Sequence, residues 1–272
     1  MDSLAFSLDS RSCLGYMPEQ LPAIEKWSTV KKMKQANGQK EIQKRRILSA
    51  TRVVASTIGV FSGLAGIVHG FFEMLQGNVT PSSIVINAID PAQRLWPEAT
   101  LHAFTIVPNF LITGILAMIV GLLVTIWAGA FIDRNYGARV LLLLAIILFL
   151  VGGGFGPAFM AIIATLTATQ INKPLSWWRT HLPNNLQNLL VKLWPWALIA
   201  YLLFFASSVG IAIFGIPLVW FFSADITYSI LLNLGPISDV LLMGAILTAF
   251  AYDIQKQTDF TQASSTQGRL GQ

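Results

Sequence analysis

Stretches of about 20 or more predominantly apolar residues recur along the chain, each as long as a helix must be to cross ~30 Å of hydrocarbon. They run from about Val53 to Leu75, Phe104 to Ile132, Val140 to Ile163 with an apolar extension to Ala168, Trp194 to Phe222, and Ile226 to Tyr252. Backbone polar groups in lipid must be satisfied within the segment, so the expected fold class is all-α, a polytopic integral membrane helix bundle. FGIP at 214–217 and LGPI at 234–237 could each break the chain, and breaks at both would give six spans. Five transmembrane helices are expected, with Pro217 kinking a long fourth helix and residues 226–234 lying partly in the interface.

Charge placement agrees with this reading. Only 11% of positions are charged and 54% are hydrophobic, against roughly 25% charged in a soluble domain. Of the 18 Lys and Arg, 10 precede Val53. The expected organisation is a basic N-terminal tail over 1–46, a bundle over 47–254 with outer loops at 76–103 and 171–193, and a polar C-terminal tail over 255–272. The opening residues include Asp2, Asp9 and Arg11 with no apolar run, unlike a cleavable secretory signal. Between Lys26 and Arg46 the basic run KWSTVKKMKQANGQKEIQKRR suits anionic lipid headgroups. It carries Trp27 as its one aromatic, too few for base stacking, so nucleic acid is not an expected partner. A single cysteine, Cys13, excludes an internal disulfide or dithiol chemistry.

Cations flanking the spans predict the orientation. Lys34, Lys40, Lys44, Arg45, Arg46 and Arg52 precede the first span, and Arg134 and Arg139 follow the second. The N-terminus is therefore expected in the cytoplasm, and the bacterial inner membrane or an equivalent is the expected location. Lys173, Arg179 and Lys192 in the second outer loop count against that scheme, whereas Trp96, Trp177, Trp178, Trp194 and Trp196 would form an outer aromatic belt. Within that loop, the leucine spacing of LPNNLQNLLVKLW predicts a short surface helix capped at Asn184.

Several features interrupt the apolar rods. Gly59, Gly63, Gly66 and Gly70 form small-xxx-small pairs that let a neighbouring helix approach closely, in this chain, in a homo-oligomer or in another membrane subunit. GGGFGP at 152–157 cannot sit cheaply in a continuous helix and predicts a break in the third span. Such a break marks tight packing or a cavity. In the cavity reading, Gly154, Pro157 and Asn109 join a polar pocket.

Ionisable groups in the spans are the strongest functional signal, because burying them in hydrocarbon is expensive. His69 and Glu73 sit four apart near the end of the first span, and Glu98 and His102 sit four apart before the second. With His181 in the second outer loop, all three histidines are expected on one side. Three chemistries suit His69, Glu73, Glu98 and His102: structural hydrogen bonds, a transition-metal site, or a proton or ion relay. Asp239 is a helix-start residue if the last helix opens at Pro236, and a mid-membrane ion-pathway residue if it opens near Ile226. No span carries a lysine, and GxSxG, P-loop, HExxH and CxxC motifs are missing. The expected function is a small transporter or an accessory subunit of a membrane assembly, with the alternative of a metal-dependent membrane enzyme or metal-binding protein.

Overall fold

The computed structural model describes residue 27 and residues 29–35, 37–38 and 49–270. The chain divides into two compact units, residues 1–47 and 48–272. In the first, residues 29–35 and 37–38 are helical. The rest of the basic tail, Cys13 included, lies outside the described residues.

The second unit contains helices α1 (Ala50–Leu75), α2 (Phe110–Ala130), α3 (Gly137–Leu150), α4 (Phe155–Ala168), α5 (Ser176–His181), α6 (Asn184–Phe214) and α7 (Ala224–Leu270). Two short antiparallel strands, β1 (Val85–Asn87) and β2 (His102–Phe104), lie between α1 and α2. Four helices, α1, α2, α6 and α7, are long and apolar enough to cross a membrane. Their outward faces carry large exposed side chains such as Leu64, Leu122, Leu203 and Leu232. Such a surface suits lipid rather than water.

The antiparallel pair α1–α2 is the spine of this unit, and glycine sets its spacing. A Cβ on Gly63 would lie 2.5 Å from the Gly121 carbonyl oxygen, and one on Gly70 equally close to that of Gly114. A Cβ on Gly121 would in turn lie 2.7 Å from the Gly63 carbonyl oxygen. Backbone thus meets backbone, the arrangement that small residues permit where lipid offers no hydrophobic drive between helices. A Cβ on Gly59 would lie 2.6 Å from Ala128 Cβ, and one on Gly66 2.9 Å from Leu148 Cδ1 of α3.

The third expected span is not one broken rod. Leu141 lies beside Gly59 and Leu148 beside Gly66, so α3 runs parallel to α1. The Ser62 hydroxyl donates to the Pro157 carbonyl at 2.6 Å, and Ala164 lies beside Gly59, so α4 runs back the other way. Residues 151–154 therefore reverse the chain, and each 14-residue helix rises about 21 Å. Successive glycines let the turn close where a helix could not continue.

This reversal moves the following loop to the opposite end from the one expected. Gln257 donates to the Lys173 carbonyl at 3.2 Å, and the Trp178 ring packs on Phe250 with centroids 5.7 Å apart. Residues 171–193 thus lie at the Ser49 end of α1, whereas residues 76–109 lie at the Leu75 end. Trp194, against Tyr252 at 5.3 Å, belongs to the Ser49 end too, while Trp96 donates to the Ala212 carbonyl at the other. The single outer aromatic belt is replaced by aromatics at both ends.

The last two helices also differ from expectation. The expected surface helix is the first part of α6, which continues for 31 residues through Pro195. Gly215, at φ +68°, ends α6 before the FGIP sequence is complete. LGPI does not break the chain, since Pro236 sits inside α7. Residues 255–270, within the expected polar tail, are helical and continue α7 to Leu270.

Asp253 ties the end of α7 to the start of α1. Its carboxylate accepts from the Ser49 hydroxyl at 2.7 Å and from the amides of Ala50 and Thr51 at 2.9 and 3.0 Å. Those amides have no partner within α1, and the positive end of the helix dipole favours the charge. Arg52 pairs with Asp133 at 3.6 Å and brings the α2–α3 connection to the same end.

Asp253→Ala is expected to destabilise the unit by about 3 kcal/mol, from lost charge-assisted bonds and stranded amides, in denaturant titration of detergent-solubilised protein. Gly63→Val should cost about 2 kcal/mol or more by pushing α1 off α2, whereas Gly210→Ala, with open space around it, should shift the same thermal melt hardly at all.

Candidate functional site

Near the Leu75 end, α1 presents two ionisable side chains one turn apart, His69 and Glu73. Helical spacing puts both on the face that meets the 151–154 turn. Glu73 is fully buried, and neither carboxyl oxygen has a hydrogen-bond partner among the described residues. The His69 Nδ1 donates to the Ala65 carbonyl at 3.0 Å. Because a carbonyl only accepts, Nδ1 holds a proton, and in the neutral ring Nε2 presents its lone pair.

The glycine turn fits over these two groups. A Cβ on Gly152 would lie 2.8 Å from Glu73 Oε1, and one on Gly154 would lie 2.5 Å from His69 Cδ2. Both glycines have positive φ, +92° and +88°, which other L-residues rarely adopt. Gly153, by contrast, is excluded from bearing a side chain by Leu148.

Segment 102–106 holds the turn in place. The Gly152 amide donates to the Phe104 carbonyl at 3.0 Å, and the Ile106 amide to the Leu150 carbonyl at 3.0 Å. Thr113 donates to the Val151 carbonyl at 2.7 Å and shares a hydrogen bond with Thr105 at 2.6 Å. These bonds satisfy non-helical backbone beside the bundle, where water is scarce.

Beside His69 lies a cavity of about 320 Å³. Its polar lining consists of His69, His102, Thr100 and Ser208, while Phe155, Met160 and Phe205 supply apolar walls. It is small for a ligand site, and its few polar groups among apolar walls are the usual composition of one.

The expected residues are distributed unevenly around this site. His69 and His102 line one cavity; Glu73 is buried behind it; Glu98, half-buried in the loop beside Trp96, is outside its lining. Gly154 caps α4, and Pro157 both lines the cavity and accepts from Ser62. Asn109 is the N-cap of α2, accepting from the Ile112 amide at 3.0 Å, and is outside the cavity lining. Asp239 lies within continuous α7, exposed and away from the cavity lining. His181 stacks on Trp177 at the Ser49 end, so the three histidines do not share one side. Among the described residues, no three His, Cys, Asp or Glu side chains converge as a metal would require. The four-residue metal set is therefore not assembled: His69 and Glu73 share a helix face, but Glu98 is outside the cavity that His69 and His102 line.

Thr105, Thr113 and Ser62 were not singled out by sequence. Lone hydroxyls in apolar helices carry no pattern, and their importance comes from backbone carbonyls supplied by a distant turn. No protein-family model, curated protein or solved structure matches this chain.

Gly152→Ala is expected to destabilise the protein by about 3 kcal/mol, through positive-φ strain and collision with Glu73. Adding Glu73→Ala should recover about 1 kcal/mol in a double-mutant cycle read by thermal melting, since the strain remains but the collision is relieved. Gly156→Ala, next to open space, serves as the neutral comparison.

Proposed function

We propose that this chain is a small membrane transporter in which Glu73 is the proton- or ion-handling group and the adjoining cavity receives a small, weakly polar solute. The observation that carries the reading is Glu73 itself: a carboxyl group with no exposure and no partner for either oxygen, set in an apolar helix bundle. Such a group costs several kcal/mol unless a proton or cation compensates it, so a helix that needed only packing would gain by replacing it. His69, one turn away, supplies a second proton-accepting atom facing both the glycine turn and the cavity. Its neighbour His102 and the hydroxyls of Thr100 and Ser208 suit a solute with one or two hydrogen-bonding groups.

In this proposal the Ser49 end faces the cytoplasm. Arg134, Arg139, Lys173, Arg179 and Lys192 lie in or beside the helix connections at that end, against Arg94 alone in residues 76–109. The site then lies toward the outer leaflet.

A pH jump applied to proteoliposomes on a solid-supported membrane is the direct test, because it reads charge entering the site before any solute is known. The wild type should give a transient current absent from empty vesicles, and Glu73→Gln should remove most of it while keeping the thermal melt of a folded protein. A wild-type trace indistinguishable from empty vesicles ends the proposal.

A further inference from the structure

Asp239 sits where a carboxylate is hardest to explain. It lies fourteen residues from Asp225 and fourteen from Asp253 along α7, so it is about 21 Å from each. Asp253 marks the Ser49 end through its bonds to Ala50 and Thr51, and Asp225 lies in the first turn at the opposite end. Asp239 is therefore at mid-depth of the bundle. It is exposed, and no hydrogen bond or ion pair engages it among the described residues.

Ser229 and Asn233, on the same half of α7, are satisfied by their own helix, whereas the buried Thr227 hydroxyl has no partner among the described residues. Ser229 donates to the Asp225 carbonyl at 2.9 Å, and Asn233 to the Ser229 carbonyl at 2.7 Å. A carboxylate has no proton to give a carbonyl, so Asp239 cannot be satisfied in this way. One helical stripe, Thr227, Leu231, Leu234, Ser238 and Leu242, is covered, whereas Leu232, Pro236, Ile237 and Val240 are exposed like Asp239. Pro236 has no N–H for the carbonyl of Leu232, which leaves a second acceptor two turns from the carboxylate. The buried Tyr201 hydroxyl of α6 is close enough to Asp239 to interact with its charge, yet it donates to Met160 Sδ at 3.9 Å, so the carboxylate stands at mid-span without a hydrogen-bonded donor.

We propose that the outer half of α7 is the docking face for a transmembrane helix of another chain, one bearing a lysine or arginine at mid-membrane that pairs with Asp239. The charge sign selects this occupant. The helix bundle of a second copy offers no such cation, since among the described residues of this unit Arg52, Arg94, Arg134, Arg139, Lys173, Arg179, Lys192, Lys256 and Arg269 all lie toward the ends of the helices or in their connections. Lipid tails would leave the carboxylate uncompensated, which hydrocarbon penalises. This docking face is independent of Glu73 and its cavity, so either proposal survives failure of the other.

The test uses full-length protein labelled with a donor dye in lipid vesicles, titrated with acceptor-labelled synthetic oligoleucine helices whose central residue is Lys, Leu or Glu. The Lys helix should associate about tenfold more tightly than the Leu helix, and the Glu helix no better than Leu. Asp239→Asn should collapse that preference, Asp239→Glu should retain it, and Asp225→Asn, at the helix end, should leave it intact. Equal association of the Lys and Leu helices with the wild type overturns the proposal. So does Asp239-dependent energy transfer between differently labelled copies of the full chain that no Lys helix displaces, because the occupant is then a second copy.

Discussion

Gly63 against Gly121, and Gly70 against Gly114 two turns further along, bring α1 and α2 into backbone contact, and the other helices of this unit are placed from that contact. A side chain at any of these positions would hold the two helices apart. With the pair closed, α1 has one face against α2 and another free to accept the hairpin of α3 and α4, which reaches Gly66 through Leu148 and borders Gly59 through Leu141 and Ala164. Gly59 thus serves both neighbours, Gly66 the hairpin, and Gly63 and Gly70 the α2 contact. Packing of this kind replaces the hydrophobic effect, which has little to offer between apolar helices in an apolar solvent.

The two ends of the unit differ in chemistry. At the Ser49 end, Asp253 compensates the open amides of α1, Arg52 meets Asp133, and the long connections carry cations. At the Leu75 end, a short β-hairpin lends its backbone to the glycine turn between α3 and α4. That loan matters because the turn covers His69 and Glu73, leaving a buried carboxyl under non-helical backbone and a cavity next door. Charge balance is therefore local and strong at one end, and deferred at the other. Asp239, midway between them on an exposed part of α7, extends the same pattern of acids whose compensation must come from outside their own helix.

Apolar run length, the scarcity of charge and the glycine spacing of α1 are visible in the amino-acid order, because each depends on residues close together along one rod. His69 and Glu73 also stand out there, being ionisable residues where hydrocarbon is expected. GGGFGP signals a departure from helix, yet nothing local distinguishes a kink from a reversal. Which occurs depends on whether α4 packs beside α3 or continues beyond it, and Ser62, Ala164 and Leu148 decide that through contacts far apart in the chain.

One misjudged turn inverts everything after it. Reading 151–154 as a kink puts Lys173, Arg179, Lys192 and His181 on the wrong side, and the three cations already disagreed with that placement. Sequence alone determined that the chain is built of apolar helices suited to a membrane, and which helix faces are small enough to touch, since solvent preference and helical period are local properties. Tertiary structure alone decided the direction of each pass, the separation of Glu98 from His69 and Glu73, and the meeting of Asp253 with the start of α1. Those outcomes depend on distances between segments, and a linear order of residues carries no distance until packing supplies one.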